Sequence, residues 1–105
     1  MADRAATNFT PVYGSGGTIN YTDTATNSAN LPMGINGVFV TCSTNAWARL
    51  ACVASGTAPV ALTSDFFCPA GASVFLPYVD NTGQPAQLSV VRDASNGAAR
   101  YTPVV

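Results

Sequence analysis

Apolar and polar residues alternate with a period of two along much of this chain, and no period of about 3.6 persists over three turns. Residues 18–22 set Ile19 and Tyr21 between polar neighbours, as in a short strand buried on one side. Residues 38–42 and 47–53 are β-rich runs on either side of Ser43-Thr44-Asn45-Ala46, and this spacing predicts a hairpin. With Thr44 and Asn45 as turn residues, Cys42 faces Trp47, Val40 faces Arg49, and Cys52 points to the other side of the sheet. A Cys42–Cys52 disulfide is then disfavoured. Further on, Asp65-Phe66-Phe67-Cys68 leads into a Pro69-Ala70-Gly71 turn and a strand over residues 72–79, which Pro77 assigns to an edge or a bulge. An Asp80-Asn81-Thr82-Gly83 turn precedes the run 87–92. Asn96-Gly97, a favoured type I′ pair, predicts a closing hairpin of residues 86–95 with 98–105 that sets Asp93 opposite Arg100.

The remaining stretches lack a period. Residues 1–17, ending in Gly14-Ser15-Gly16-Gly17, read as an N-terminal arm, and residues 23–36 as a long polar connection of the kind that often binds partners. Residues 55–64 are mostly small, around Gly56 and Pro59. The pattern predicts an all-β chain: one antiparallel β-sandwich domain over residues 18–105 with six to eight short strands, the jelly roll being one arrangement that fits. Several strands are apolar on both faces, with Val38, Val40 and Cys42 backing onto Phe39, and Val74, Leu76 and Tyr78 backing onto Phe75 and Val79. One face fills the core. The other needs cover, and a second subunit is the expected cover because antiparallel sheets normally turn polar residues to water.

Composition sharpens this picture. The chain has no Lys, Glu or His; its charges are Arg4, Arg49, Arg92, Arg100 and five Asp. Charged residues make up 9%, against roughly 25% in ordinary domains. A 48% hydrophobic content argues against disorder, and a net charge of −1 supplies no field for nucleic acid or anionic lipid. So uncharged a surface favours association. The residues that usually carry acid–base, Schiff-base and metal chemistry are largely missing, so no enzyme is expected, and no catalytic, cofactor or metal site is assigned.

Ser64-Asp65 lacks an intervening base for nucleophilic catalysis. Asp80 and Asp93 sit at turns, where Asp bonds locally, which weakens any carboxylate pair made with Asp65. A calcium site at Asp80-Asn81-Thr82 lacks further acidic ligands. Cys42, Cys52 and Cys68 show no Cys-x-x-Cys spacing and read as buried free thiols, with a single disulfide as the alternative. Arg49 and Arg92 on strands need partners: Asp65 or Asp93 within the chain, or a neighbouring subunit. Trp47, Tyr13, Tyr21, Tyr78 and Tyr101 serve as core or interface anchors, with a sugar-stacking surface as the alternative. No basic segment followed by an apolar run opens the chain, and no stretch reads as a membrane span, so synthesis and retention in the cytosol are expected.

The segment Thr63-Ser64-Asp65-Phe66-Phe67-Cys68-Pro69-Ala70-Gly71, the strand after it, and Leu88-Ser89-Val90-Val91-Arg92-Asp93 resemble small virion proteins encoded near the major capsid gene of tailed phages. A T-S-D-x-x-x-P-A-G-like turn and a closing L-S-V-[VI]-R strand are familiar there. The resemblance covers about residues 36–105 and leaves out the Gly-rich arm and the polar connection. It implies a capsid cement or decoration protein: a small β-sandwich or jelly roll forming a homotrimer over capsomer junctions. The major capsid protein would be its partner, with no nucleic-acid or membrane partner, and the virion its location. A carbohydrate- or receptor-binding module of a spike or fibre, or a small tail component, fits the same composition.

Overall fold

A computed structural model describes residues 10–54, 56–79 and 83–105. Within them lie β1 (Gly17–Tyr21), β2 (Thr26–Asn27), β3 (Gly37–Cys42), β4 (Ala46–Cys52), β5 (Phe66–Cys68), β6 (Ser73–Pro77), β7 (Ala86–Arg92) and β8 (Gly97–Val104). No helix forms among the described residues. The strands make two four-stranded sheets, β1-β8-β3-β6 (sheet 1) and β2-β7-β4-β5 (sheet 2). The pairing is that of a chain doubled into one long hairpin, β1 with β8, β2 with β7, β3 with β6 and β4 with β5. Rolling that hairpin puts alternate pairs into opposite sheets, and the β3·β8 and β4·β7 ladders then complete them. This is the jelly-roll order. The expected all-β antiparallel sandwich is therefore present, with eight strands among the described residues.

Alternation builds the core. Along β3, Val38, Val40 and Cys42 are buried while Phe39 and Thr41 face out, as the side-chain period of a strand requires. Ile19, Tyr21, Leu76 and Ala99 join them from sheet 1, and Ala46, Ala48, Cys68, Leu88 and Val90 meet them from sheet 2. The stretch 23–36 is less of a free connection than its polarity suggests. Thr26 and Asn27 pair with β7, the Ser28 and Leu31 N–H groups donate to the Leu88 and Ala86 carbonyls at 2.8 Å each, and Leu31 and Ile35 are buried. Buried Ser28 accepts the Leu88 N–H and donates to the Ala29 carbonyl, so its hydroxyl is satisfied.

Neither predicted hairpin forms. β3 pairs with β6 and β8, whereas β4 pairs with β5 and β7; β7 and β8 likewise lie in different sheets. The short segments after β3 and after β7 are corners that carry the chain from one sheet to the other. A hairpin would set Cys42 beside Trp47 on one face. The corner instead turns Val38, Val40 and Cys42 toward Ala46, Ala48 and Leu50 from the opposite sheet, which buries both apolar sets at once. The two corners brace each other: Ser43 N–H donates to Ala98 O at 2.9 Å, Ala98 N–H to Ser43 Oγ at 2.9 Å, and Asp93 N–H to Asn45 O at 3.1 Å.

The Asp93–Arg100 pairing consequently fails. Arg100 lies opposite Thr18 and Thr41, and the Asp93 carboxylate accepts the Trp47 Nε1–H at 3.2 Å. Gly97 is also not an αL turn residue, since the positive-φ glycines are Gly14, Gly34, Gly56, Gly71 and Gly83. It is glycine for space, because a Cβ there would meet Thr44 Oγ1, the Tyr21 hydroxyl and Ser43 Oγ. Gly71, at φ 76°, does complete the Pro69-Ala70-Gly71 turn, and Pro77 ends the edge strand β6.

Residues 80–82 of the turn before β7, Ser55, and the first nine residues of the arm lie outside the described residues. From residue 10 the chain already pairs with the end of β8: Thr10 and Val105 exchange N–H···O bonds at 3.0 and 2.9 Å, and Val12 N–H donates to Pro103 O at 2.9 Å. All three cysteines are free, Cys42 and Cys68 buried and Cys52 half-buried.

Candidate interface surfaces

The outward side of sheet 2 carries the chain's one tryptophan. On β4 it stands opposite Phe67 of β5 on one side and Val91 of β7 on the other. The Trp47 and Phe67 ring centroids are 4.9 Å apart with planes tilted by 59°, an arrangement aromatic quadrupoles favour. Two residues further along β4, on the same face, Arg49 donates from Nε to Asp65 Oδ2 at 3.0 Å and from Nη2 to Oδ1 at 2.8 Å. This bidentate fork realises the expected intrachain pair. Asp65 Oδ2 also accepts the Leu62 N–H at 2.7 Å, and the Asp65 N–H donates to Leu62 O at 3.0 Å, so the loop end folds around the carboxylate. The Arg49 hydrogen bonds hold the Asp65 carboxyl below the ordinary carboxylate range, with burial opposing them. Arg92 takes no aspartate among the described residues; its Nη1 donates to Asn96 Oδ1 at 2.8 Å.

Part of this outer face is covered by the chain's own loop between β4 and β5, and not only by whatever might dock on it. Asn27 Nδ2 donates to Pro59 O at 2.8 Å, the Ala61 N–H donates to Ser89 Oγ at 2.9 Å, and Ala61 is buried. The loop brings its own apolar groups to the surface in exchange. Val60 of the loop is 56% exposed and Leu62 50%; on β5, Phe67 beside Trp47 is 36% exposed, and Phe66, on the other side of the strand, 49%. Exposed large apolar groups on one sheet face are a mark of interaction surfaces. The sequence reading passed over Val60 and Leu62 because the segment looked small and turn-like. The alternation of Val60, Ala61 and Leu62, with Ala61 inward, was the available signal.

Sheet 1 has a matching feature. Phe39 of β3 and Phe75 of β6 face each other on its outer side with centroids 4.9 Å apart and a 48° tilt. Each sheet thus carries one tilted aromatic pair between its last inner strand and an edge strand, and the two edge strands, β5 and β6, are consecutive in the chain. Thr18, Asn20, Thr41, Arg100 and Thr102 make the rest of the outer side of sheet 1 polar.

The proposed sugar-stacking set does not converge. Tyr21 is buried with its hydroxyl against Thr44, Tyr78 and Tyr101 pack against the core, and Tyr13 alone of the tyrosines stands free of the fold. A cleft of about 310 Å³ opens at one end of sheet 1, lined by Thr41, Cys42, Ser43, Gly71, Ala98 and Arg100. It contains neither a carboxylate nor an imidazole. Comparison of the chain with protein-family models, with curated proteins and with solved structures finds no match.

Proposed function

We propose that this chain is a structural virion protein, a capsid cement or decoration subunit that forms a homotrimer and bridges copies of the major capsid protein. The observation that carries the reading is the set of exposed apolar side chains Val60, Leu62 and Phe67 on the face that bears the Trp47–Phe67 pair, on a chain of 9% charged residues. Trp and Phe are the side chains that anchor interface centres, where charges are depleted. The Arg49–Asp65 fork ties down the loop that presents this surface, so less ordering entropy is lost when it docks. The jelly-roll order hosts capsid domains but also lectins and cupins, and it does not choose among them by itself. A bridging role asks for contact area without a reacting group, which agrees with a chain lacking His, Lys and Glu.

The test has two parts, solution mass by light scattering after size exclusion at several concentrations, and co-sedimentation with tailed-phage capsids that lack the chain. A trimer that sediments with capsids, and a Leu62→Asp variant that folds but loses both properties, is the expected result. A monomer at every concentration that leaves capsids untouched would remove the proposal.

A further inference from the structure

Two of the three thiols meet across the core. Cys42 ends β3 in sheet 1, Cys68 ends β5 in sheet 2, and neither side chain is exposed. Ala70 forms a bridge with Cys42, and the Gly71 N–H donates to the Cys42 carbonyl at 2.8 Å, so the chain leaving Cys68 turns at once to run beside Cys42. Both thiols belong to the same buried cluster and shift each other's titration, and the Cys68 Sγ–H donates to the Phe66 carbonyl at 3.9 Å. Cys52 stands apart: it pairs with Ala86 at the end of β4 remote from Ala46, the residue opposite Cys68.

We propose that Cys42 and Cys68 are an oxidation site that forms an inter-sheet disulfide once the chain leaves a reducing compartment. A disulfide needs its sulfurs about 2.05 Å apart and its Cα atoms roughly 4.4–6.8 Å apart. Two core-facing thiols on segments joined by the Cys42–Ala70 bridge approach that geometry by side-chain rotation. The pair is also chemically asymmetric. The Cys68 thiol, helped by the Tyr21 hydroxyl, holds Cys42 below the ordinary thiol pKa against the effect of burial; that same contact, burial and the Cys42 charge push Cys68 up. Cys42 is therefore the attacking sulfur, and Cys68 resolves the product.

A small peroxide is the oxidant. The Cys42 thiolate attacks one peroxide oxygen, the O–O bond breaks, hydroxide leaves, and Cys42 becomes a sulfenic acid. Cys68 then gives up its proton, its sulfur bonds to the Cys42 sulfur, the S–O bond breaks and water leaves. In sum, two thiols and one hydrogen peroxide give one disulfide and two waters. The cleft that includes Cys42 in its wall offers a small oxidant space beside the strand end that carries the thiol. Reducing cytosol keeps both thiols free during synthesis, and oxidising surroundings close the bond afterwards. The inference stands whether or not the chain belongs to a virion.

The experiment exposes the reduced, full-length chain to hydrogen peroxide under native conditions, then alkylates it in denaturant. We expect the mass to fall by two hydrogens and only one thiol to take the label. After trypsin, the bond joins the peptide that ends at Arg49 to the one that begins at Leu50. Because Cys52 and Cys68 share that second peptide, a Cys52→Ala variant that still forms the bond assigns it to Cys68. The oxidised chain should unfold at higher urea, with dithiothreitol reversing the gain. Labelling of all three thiols after oxidation, a bond to Cys52, or a bond that forms only when urea is present would each overturn the proposal.

Discussion

The absence of one Cβ at Gly97 lets the Tyr21 hydroxyl reach Thr44, where it accepts the backbone N–H at 3.1 Å and lies 2.8 Å from the carbonyl and 2.7 Å from Oγ1. Tyr21 is buried at the end of β1, so this small network pins the first strand to the corner between β3 and β4. Gly97→Ala forces those oxygens apart and is expected to cost about 1–3 kcal/mol, the range for overpacked sites. Tyr21→Phe removes the hydroxyl at a cost of roughly 0.5–1.5 kcal/mol. Because the alanine methyl clashes with that same hydroxyl, its cost should shrink in the Tyr21→Phe background. Urea midpoints at constant slope measure all three values, and a neutral Gly97→Ala would show that the corner relaxes freely. The dipeptide Asn96-Gly97 marked the right place in the sequence for the wrong reason. Turn statistics record that glycine is wanted, not whether φ or space is what demands it.

Among the elements, three of the four edge strands are short or end at proline. β2 has two residues, β5 has three, and β6 ends at Pro77, devices that deny another chain a long row of free backbone groups. The apolar contacts left open are therefore side chains on the sheet faces, and those of Val60 and Leu62 depend on how the loop before β5 is held. Arg49 and Asp65 hold it. The folded Asp65 keeps its charge to lower pH than an unfolded Asp does, so its stabilisation is complete above about pH 3.9. It is lost as pH falls through the lowered folded value. Asp65→Asn should lower the melting temperature near neutral pH and leave a shallower decline into acid than the native chain shows. Parallel melts down the acid range test this, and equal acid slopes would mean the carboxylate is not what ties the loop. The Arg49–Asp65 pair was legible in the sequence, because a guanidinium on an otherwise uncharged strand needs an acid. Its effect on Val60 and Leu62 was not, since that depends on where the loop crosses the sheet.

At the scale of the whole molecule, nearly every ladder joins distant parts of the chain. Gly17 pairs with Tyr101, and Thr26 with Val90. Among the described residues, β4 and β5 are the only sequential strands that share a ladder. Loop-closure entropy must be met before such contacts form, so refolding from urea should fall in the slow class of all-β domains, roughly milliseconds to seconds. Stopped-flow fluorescence of Trp47 reads this directly. Relaxation in microseconds would indicate that local hairpins form first and the nested pairing is not the kinetic bottleneck.

The amino-acid sequence by itself determined the strand content and the face of each strand. A side-chain period of two sends Val38, Val40 and Cys42 one way and Phe39 the other, whichever strands lie alongside. It also marked the Pro69-Ala70-Gly71 turn and the edge position of Pro77, since proline's missing donor and glycine's freedom at positive φ are local properties. Only the tertiary structure decided the neighbours. Backbone N–H and C=O groups are alike at every residue, so a short polar link between two apolar runs serves a hairpin within one sheet or a corner between two. Alternation names the face to be buried but not the strand beside it. The corner prevailed twice because it sets the apolar sides of successive strands against each other across one core, and a hairpin would have laid both on the same sheet with nothing opposite.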